Sequence, residues 1–402
     1  MHRNSFVTAA LVLLSTFIGM PNLEAKPLKV FILVGQSNMQ GHAQIQTMEV
    51  MEIDPVTAPM LKDLRNADGS PVICDDVWIS SIGSSENEKI GKLTAGFGAD
   101  FRNPKIGPEF SFGIYMHKIL QEPVLIIKTA WGGKSINTDF RPPSAGPYVF
   151  NQSQLDNFAK QDKDVAEQQK LKAEATGVYY RLMLDHVKKV LSDIQRVYPD
   201  YDDQQGYELA GLVWFQGWND MVDRGTYPNR DQEGGYDAYS QVMAHFIRDV
   251  RKDLAAPKLP VVIGVLGVGG PTDKYTEQEQ RYRAIHNNFR QAMAAPADVD
   301  EFRSNVAAVW TDQYWDMELK QLRREDSELQ AELKKKAETE GLSRTELQSL
   351  IEKERAKRLS NKQLTLLQKG ASNAEYHYLG SAKIMTQIGK GFAEAMADLM
   401  QK

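Results

Sequence analysis

The chain has 402 residues, a formal net charge of −5, 42% hydrophobic and 9% aromatic side chains, and a single cysteine. That composition supports a sizeable core, arranged as one large domain or roughly two to three small ones. It gives no basic excess to attract nucleic acid. One cysteine rules out both an internal disulfide and a thiolate zinc site.

His2 and Arg3 open an apolar stretch from Phe6 to Met20, and Leu23-Glu24-Ala25 follows in the manner of a cleavage site. This is the pattern of a secretory signal peptide, too short for a transmembrane span. Residues 1–25 are therefore set apart as a signal segment, with an uncleaved anchor as the alternative because Leu23 is large for its position. The expected location is periplasmic or secreted, with no membrane span after signal removal. Residues 26–402 are read as one domain.

Lys29 to Val34 is an apolar run that ends at Gly35 and reads as a buried parallel strand. Asp54-Pro55 and Asp68-Gly69 mark turns. Cys74, in Pro-Val-Ile-Cys-Asp-Asp, reads as a half-buried structural thiol rather than a nucleophile. Asp76 to Ser80 is a short strand, and the Gly-rich stretch 91–108 is a surface loop. Pro108 opens a helical pattern over Glu109 to Leu120. Pro123 to Thr129 is a strand running into Ala130-Trp131-Gly132-Gly133-Lys134-Ser135. Residues 137–160 read as a long loop and 161–196 as one long helix. Leu209 to Phe215 is a strand ending in Gln216-Gly217-Trp218-Asn219-Asp220. Helical patterns over 232–254 and 276–294 flank a strand from Leu259 to Leu266, and Asn305 to Trp310 is a further strand. Residues 316–370 are charge-dense and glycine-poor, with a narrow stripe of Leu319, Leu322, Leu329 and Leu333. Gly341 ends one helix there, and Ser343-Arg344-Thr345-Glu346 opens the next with a capping box. This predicts an inserted helical hairpin, a candidate protein-contact surface. Tyr378 to Met400 reads as a closing helix. Strands alternating with helices imply an α/β fold with a central parallel sheet of about five strands, covered on both faces.

In a parallel sheet all strand ends that lead into the loops point the same way, and open α/β sheets place their ligands there. Ser37, Gly133 and Asn219 each follow such an end, so they can converge. A serine nucleophile needs donors aimed at the oxyanion that its attack creates, and a glycine N–H and a side-chain amide are such donors. It also needs a base. His117, His186, His245 and His286 fall inside helical patterns, whereas His377 follows the loop Gly370-Ala371-Ser372-Asn373 at the rim of the sheet.

Four blocks in this order carry a resemblance. Gly35-Gln36-Ser37-Asn38-Met39, Gly132-Gly133-Lys134-Ser135-Ile136, Trp214-Phe215-Gln216-Gly217-Trp218-Asn219-Asp220 and Tyr376-His377-Tyr378-Leu379-Gly380 resemble the motifs of the sialate O-acetylesterase-like carbohydrate esterases (carbohydrate esterase family 6) of the SGNH hydrolase superfamily. Gly107-Pro108-Glu109 resembles a further family feature. The resemblance covers roughly residues 27–315 and 371–400. It implies a three-layer α/β/α sandwich and an esterase removing O-acetyl groups from a carbohydrate through an acetyl-serine intermediate, without cofactor or metal. Ser37 would be the nucleophile and His377 the base, with the oxyanion hole formed by the N–H groups of Ser37 and Gly133 and the Asn219 amide. Gln36, Glu109, Trp131 and Trp218 would line the substrate site. Phe97, Phe101 and Tyr236 are further aromatics that could stack on sugars, and Lys134, Arg141 and Arg224 could read an acidic one.

Two positions depart from the family. Trp218 stands where an acidic residue is usual. Ala374 occupies the place of the triad acid, three residues before His377. Asn373 and Glu375 flank that gap, Asp316 lies beside the insertion, and a backbone carbonyl is a further option, so the group that orients His377 stays unassigned, with Glu375 and Asp316 as the candidate acids. The alternative functions are a non-catalytic carbohydrate-binding or scaffold protein on the same fold and a short-chain aryl or lipid esterase.

Overall fold

Nine strands occur in the computed structural model, which describes residues 26–85, 87–99 and 104–401. The expected signal segment, 1–25, and Phe101 lie outside the described residues. The strands are β1 (Leu28–Gly35), β2 (Ala43–Gln44), β3 (Val77–Gly83), β4 (Lys89–Lys92), β5 (Lys105–Ile106), β6 (Val124–Ala130), β7 (Tyr207–Phe215), β8 (Val261–Val265) and β9 (Val306–Trp310). Seven form one sheet in the order β4-β3-β6-β1-β7-β8-β9, and β2 pairs with β5. All pairings in the large sheet are parallel except β3 with β4. The sheet thus has two strands more than the expected five or so: β3, which matches the short strand read over Asp76 to Ser80, and one that no run predicts. The addition at the edge is β4, whose Lys89-Ile90-Gly91-Lys92 lacks the apolar signal because it is half solvent-facing.

The central strands are apolar along their whole length because both faces are covered; every residue of β6 is buried. Neighbouring residues of one strand point to opposite faces. On β7, Trp214 meets Phe246 of the helix Asp237–Asp253, while Phe215 meets Phe392 of the helix Ala382–Met400. Those helices therefore belong to opposite layers. Tyr180 of Val178–Leu191 and Phe289 of Gln280–Ala294 join the first layer. The helix Pro108–Leu120 joins the second, through Phe112 on Phe31 and Ser111 on the Met385 carbonyl. The result is a three-layer α/β/α sandwich.

Several elements differ from the sequence pattern. The stretch expected as one long helix contains two, Val165–Ala175 and Val178–Leu191. Gly177, at φ +70°, breaks the run, and Asp164 caps the start of the first helix. Gln152–Lys160 is helical inside the expected loop, started by a capping box between Asn151 and Gln154. The charged segment folds into three helices rather than two: Met317–Glu340, Arg344–Arg358 and Asn361–Lys369. Leu319, Leu322 and Leu366 at its base join the main core, whereas Leu329, Leu333 and Ile351 form a separate cluster at its tip. Arg355 donates two hydrogen bonds to Asp326, both 2.6 Å, and ties the first two helices together. Cys74 is half-buried, and burial followed by the Asp75 charge pushes its thiol up to about 12, so it is no nucleophile at neutral pH.

Candidate active site

The sheet register brings three loops to one level. Gly35, the last residue of β1, pairs with Ala130 on one side and Phe215 on the other. Ser37, Gly132-Gly133 and Asn219 therefore emerge side by side. A Cβ at Gly35 would collide with the Phe215 carbonyl, so only glycine lets the Ser37 loop leave the sheet so close to its neighbour. Gly133 sits at φ +74°, a conformation that turns the loop after β6 and that other residues rarely adopt.

These residues line one cavity of about 600 Å³, together with Gln40, His42, Ser84, Ser85, Ala99, Gly132, Trp218, Tyr376 and His377. Ser37 opens a short helix, Ser37–Gln40, and is half-buried. The Gly132 N–H already donates to Ser84 Oγ at 3.0 Å. The loops are joined beneath the cavity by Asp220. Its wholly buried carboxylate accepts from the N–H groups of Ile136 (2.9 Å) and Asn137 (3.2 Å), from Gln216 Nε2 (2.6 Å) and from the Tyr227 hydroxyl (3.1 Å). Burial raises the Asp220 carboxyl to about 6 against the pull of those four donors. Gln216 Nε2 also donates to the Lys134 carbonyl and to Gln36 Oε1. Asp220 thus fixes the glycine loop to the asparagine loop.

His377 reaches the cavity from a different direction. It lies in the tight segment Glu375–Gly380, in which Tyr378 and Leu379 are left-handed (φ +51° and +61°). The closing helix consequently starts at Ala382 and not at Tyr378. Such backbone is strained for non-glycine residues and persists only where the surroundings impose it. Here Tyr378 is fully buried, and its hydroxyl accepts from the Gly267 N–H at 2.7 Å and shares a 2.6 Å hydrogen bond with Thr311 Oγ1. The glycine loop after β8 therefore anchors the histidine segment and does not line the Ser37 cavity.

The partner of His377 is Asn373, whose Oδ1 stands 2.9 Å from Nδ1. The same Oδ1 accepts the Ala374 N–H at 2.8 Å. A backbone N–H can only donate, so the atom facing His377 is the oxygen, and Nδ1 must carry the proton. Nε2 is left with the free lone pair that a general base needs. Burial first, and then the Lys105 charge, lower His377 to about 4. His42 stacks on it, ring centroids 3.9 Å apart and planes 1° from parallel. Burial, and after it the charges of His377, Lys105 and Lys128, hold His42 at about 3. Its Nε2 is buried without a hydrogen-bond partner among the described residues.

Other expectations need correction. Asp316 does not meet His377: its carboxylate caps the helix Met317–Glu340 through the Leu319 N–H (3.0 Å) and pairs with Lys383 (2.8 Å). Glu375 turns toward the neighbouring cavities. Glu109 is wholly buried under the cavity floor, 2.8 Å from Lys128, whose ammonium also holds the carbonyls of Gln40 and Phe97. Gln36 is buried and bridges the first and third loops through Gln216 and the Asn219 N–H. Trp131 is buried against Phe140 and Tyr179. Of the four expected lining residues only Trp218 faces the cavity. Phe97 and Tyr236 are core residues. Arg141 is spent on loop carbonyls, Lys134 lies beside Asp139 and Tyr179, and Arg224 lines the adjoining cavity. The helical histidines bond elsewhere: His117 to the Glu122 carbonyl, His186 to Ser80, His245 to Ser144 and His286 to Tyr275.

No curated protein matches the chain. Several solved structures are similar to it, two of them as follows. One is a protein from Arabidopsis thaliana (16% identity, TM-score 0.36, covering 71% of this chain and 86% of that one). The other is a carbohydrate acetylesterase from Xanthomonas citri (11% identity, TM-score 0.37, covering 70% of this chain and 49% of that one). The family model described as "Carbohydrate esterase, sialic acid-specific acetylesterase" matches residues 27–301, well over half of the sequence. The chain belongs to the family of sialic acid-specific acetylesterase-type carbohydrate esterases.

Proposed function

We propose that the protein is an exported serine esterase that removes O-acetyl groups from a carbohydrate. The observation that carries this reading is the bond between Asn373 Oδ1 and His377 Nδ1, which leaves Nε2 as the free base on a residue that lines the cavity. Ser37, Gly133 and Asn219 line that same cavity. His377 Nε2 takes the proton of Ser37, whose oxygen attacks the acetyl carbonyl. The N–H groups of Ser37 and Gly133 and the Asn219 amide hold the resulting oxyanion. The tetrahedral intermediate collapses, the sugar oxygen leaves with the proton from His377, and an acetyl-serine remains. Water then gives its proton to His377, attacks the acetyl group, and acetate departs with Ser37 restored. Asn373 performs the orienting half of a triad acid's work: it fixes the tautomer without adding negative charge. Export rests on the signal pattern of residues 1–25.

The test is acetate release from an aryl acetate and from acetylated xylan, wild type against Ser37→Ala. We expect a loss on the order of 10⁴-fold or more. Equal release from both proteins would sink the enzyme reading.

A further inference from the structure

Two histidines meet in the Ser37 cavity, and the proposed reaction uses one of them. His42 follows Gly41 at the end of the helix Ser37–Gln40 and lines the same cavity as Ser37 and His377. Its ring lies flat on that of His377, with centroids 3.9 Å apart and planes 1° from parallel. One face of the base is therefore covered by a second imidazole.

The backbone holds His42 in this place. Gly41 stands at φ +87°, and a Cβ there would run into Gly107, so the chain turns tightly against the start of the helix Pro108–Leu120. Beyond His42, Ala43 pairs with Ile106, and the Gln44 N–H donates to Ser372 Oγ at 3.1 Å. Ser372 Oγ in turn donates at 2.7 Å to the carbonyl of Gly380, in the segment that carries His377. The Ser37 loop and the histidine segment are tied together here, and the two stacked rings sit at the tie.

A neutral aromatic ring presents a negative face to a cation lying on it. His377 becomes an imidazolium when it takes the serine proton, a charge that a triad acid would stabilise. Asn373 is neutral and does not. The other groups acting on the pair supply no anion: Lys105 acts on both rings, Lys128 acts on His42, and the Tyr376 ring meets His377 at 67°. Burial first, and then the neighbouring positive charges, keep His42 itself neutral, at about 3. Its Nε2 is buried without a hydrogen-bond partner among the described residues. That nitrogen gains nothing from its burial, so the site places the ring for its face.

We propose that His42 is a positioning residue of the esterase reaction: its ring fixes the plane of the His377 imidazole, and its face stabilises the imidazolium that forms there, taking over part of the work of the absent triad carboxylate. The proposal rests on the esterase reading, which makes His377 the base.

Acetate release from an aryl acetate, resolved into kcat and KM and paired with urea unfolding of each variant, tests it. His42→Leu fills the space without an aromatic face. We expect kcat to fall about tenfold, within the range of a desolvated cation–π contact, with KM nearly unchanged. His42→Phe restores the face and most of kcat. Equal kcat losses in Leu and Phe variants as stable as wild type would make the ring mere packing, and a loss confined to KM would make it a substrate contact; either overturns the proposal. Wild-type protein phosphonylated at Ser37 by an aryl phosphonate gives a second test that needs no variant. Nitrogen NMR of this adduct at neutral pH should show His377 as the doubly protonated ring and His42 as the neutral one. Any other distribution of these protons overturns the proposal. Failure of the esterase reading shows separately, as acetate release that does not depend on Ser37.

Discussion

Two parts of the site are positioned by different physics. Ser37, Gly133 and Asn219 hang from adjacent parallel strands, and their relative placement follows from the pairing of Gly35 with Ala130 and Phe215. His377 hangs from a short strained segment that precedes the closing helix, held by turn hydrogen bonds such as those of the Ser372 and Asn373 N–H groups to the Leu379 carbonyl and by tertiary anchors: Tyr378 in its pocket, and Ser372 Oγ, which donates to the Gly380 carbonyl while accepting the Gln44 N–H. The strand-end half is rigid because the sheet is. The histidine half is as rigid as its anchors, so it is where the geometry of catalysis can be loosened without unfolding the core.

The largest expected effect lies under the strand-end half. Glu109→Ala leaves the Lys128 ammonium buried without its carboxylate beneath the Ser37 loop. Breaking a buried ion pair in this way costs about 3–5 kcal/mol, read as a fall in urea-unfolding stability. If Glu109 instead touched substrate, KM would rise with stability intact.

Next comes Asn219→Ala, which removes one of the proposed oxyanion donors. We expect turnover to fall about 10²–10³-fold with little change in stability, because the backbone N–H of Asn219, not its amide, faces Gln36. Near-wild-type turnover would remove Asn219 from the site.

The histidine half responds more mildly. Tyr378→Phe keeps the ring against Phe215 and Trp315 but orphans the buried Gly267 N–H, a cost of about 1–3 kcal/mol. Turnover should drop with KM nearly unchanged, since the shift moves the base and not the sugar contacts. A variant as active and as stable as wild type would show that the strained turn holds itself.

The same contrast explains what could be read from the sequence. Strand ends announce themselves as apolar runs halted by glycine, so the loops bearing Ser37, Gly133 and Asn219 were legible one strand at a time. Asn373 was not, because its bond to His377 spans four residues across a turn whose left-handed residues, Tyr378 and Leu379, carry no local signature. Counting three residues back leads to Ala374, one position from the side chain that does the orienting. Glu109, beside a Gly-Pro turn, reads in the sequence as a residue lining the substrate site, whereas the structure buries it against Lys128. The overlooked signal was Lys128, a lone charge inside the buried strand Val124–Ala130, since a cation there demands a buried anion. The charged insertion showed its caps and stripe plainly. Its third helix hid in a short polar segment opened by a capping box between Ser360 and Gln363.

The smallest expected effect bears most directly on the chemistry. As the proposed base, His377 must be neutral to accept the serine proton, so on that reading activity is present above its pKa and lost as pH falls through it. An unperturbed imidazole would place that acid limb of kcat/KM near pH 6.5. Burial and the Lys105 charge put it at about 4 here, and Asn373 adds no opposing charge. Asn373→Asp sets a carboxylate against Nδ1 and favours the imidazolium. The acid limb should then move up by about one pH unit or more, while turnover at neutral pH is retained, because an acceptor oxygen still holds the same tautomer. A pH–rate profile of the two proteins decides the matter. A limb that stays in place would mean that residue 373 does not govern His377, and the strained turn alone would have to orient the base.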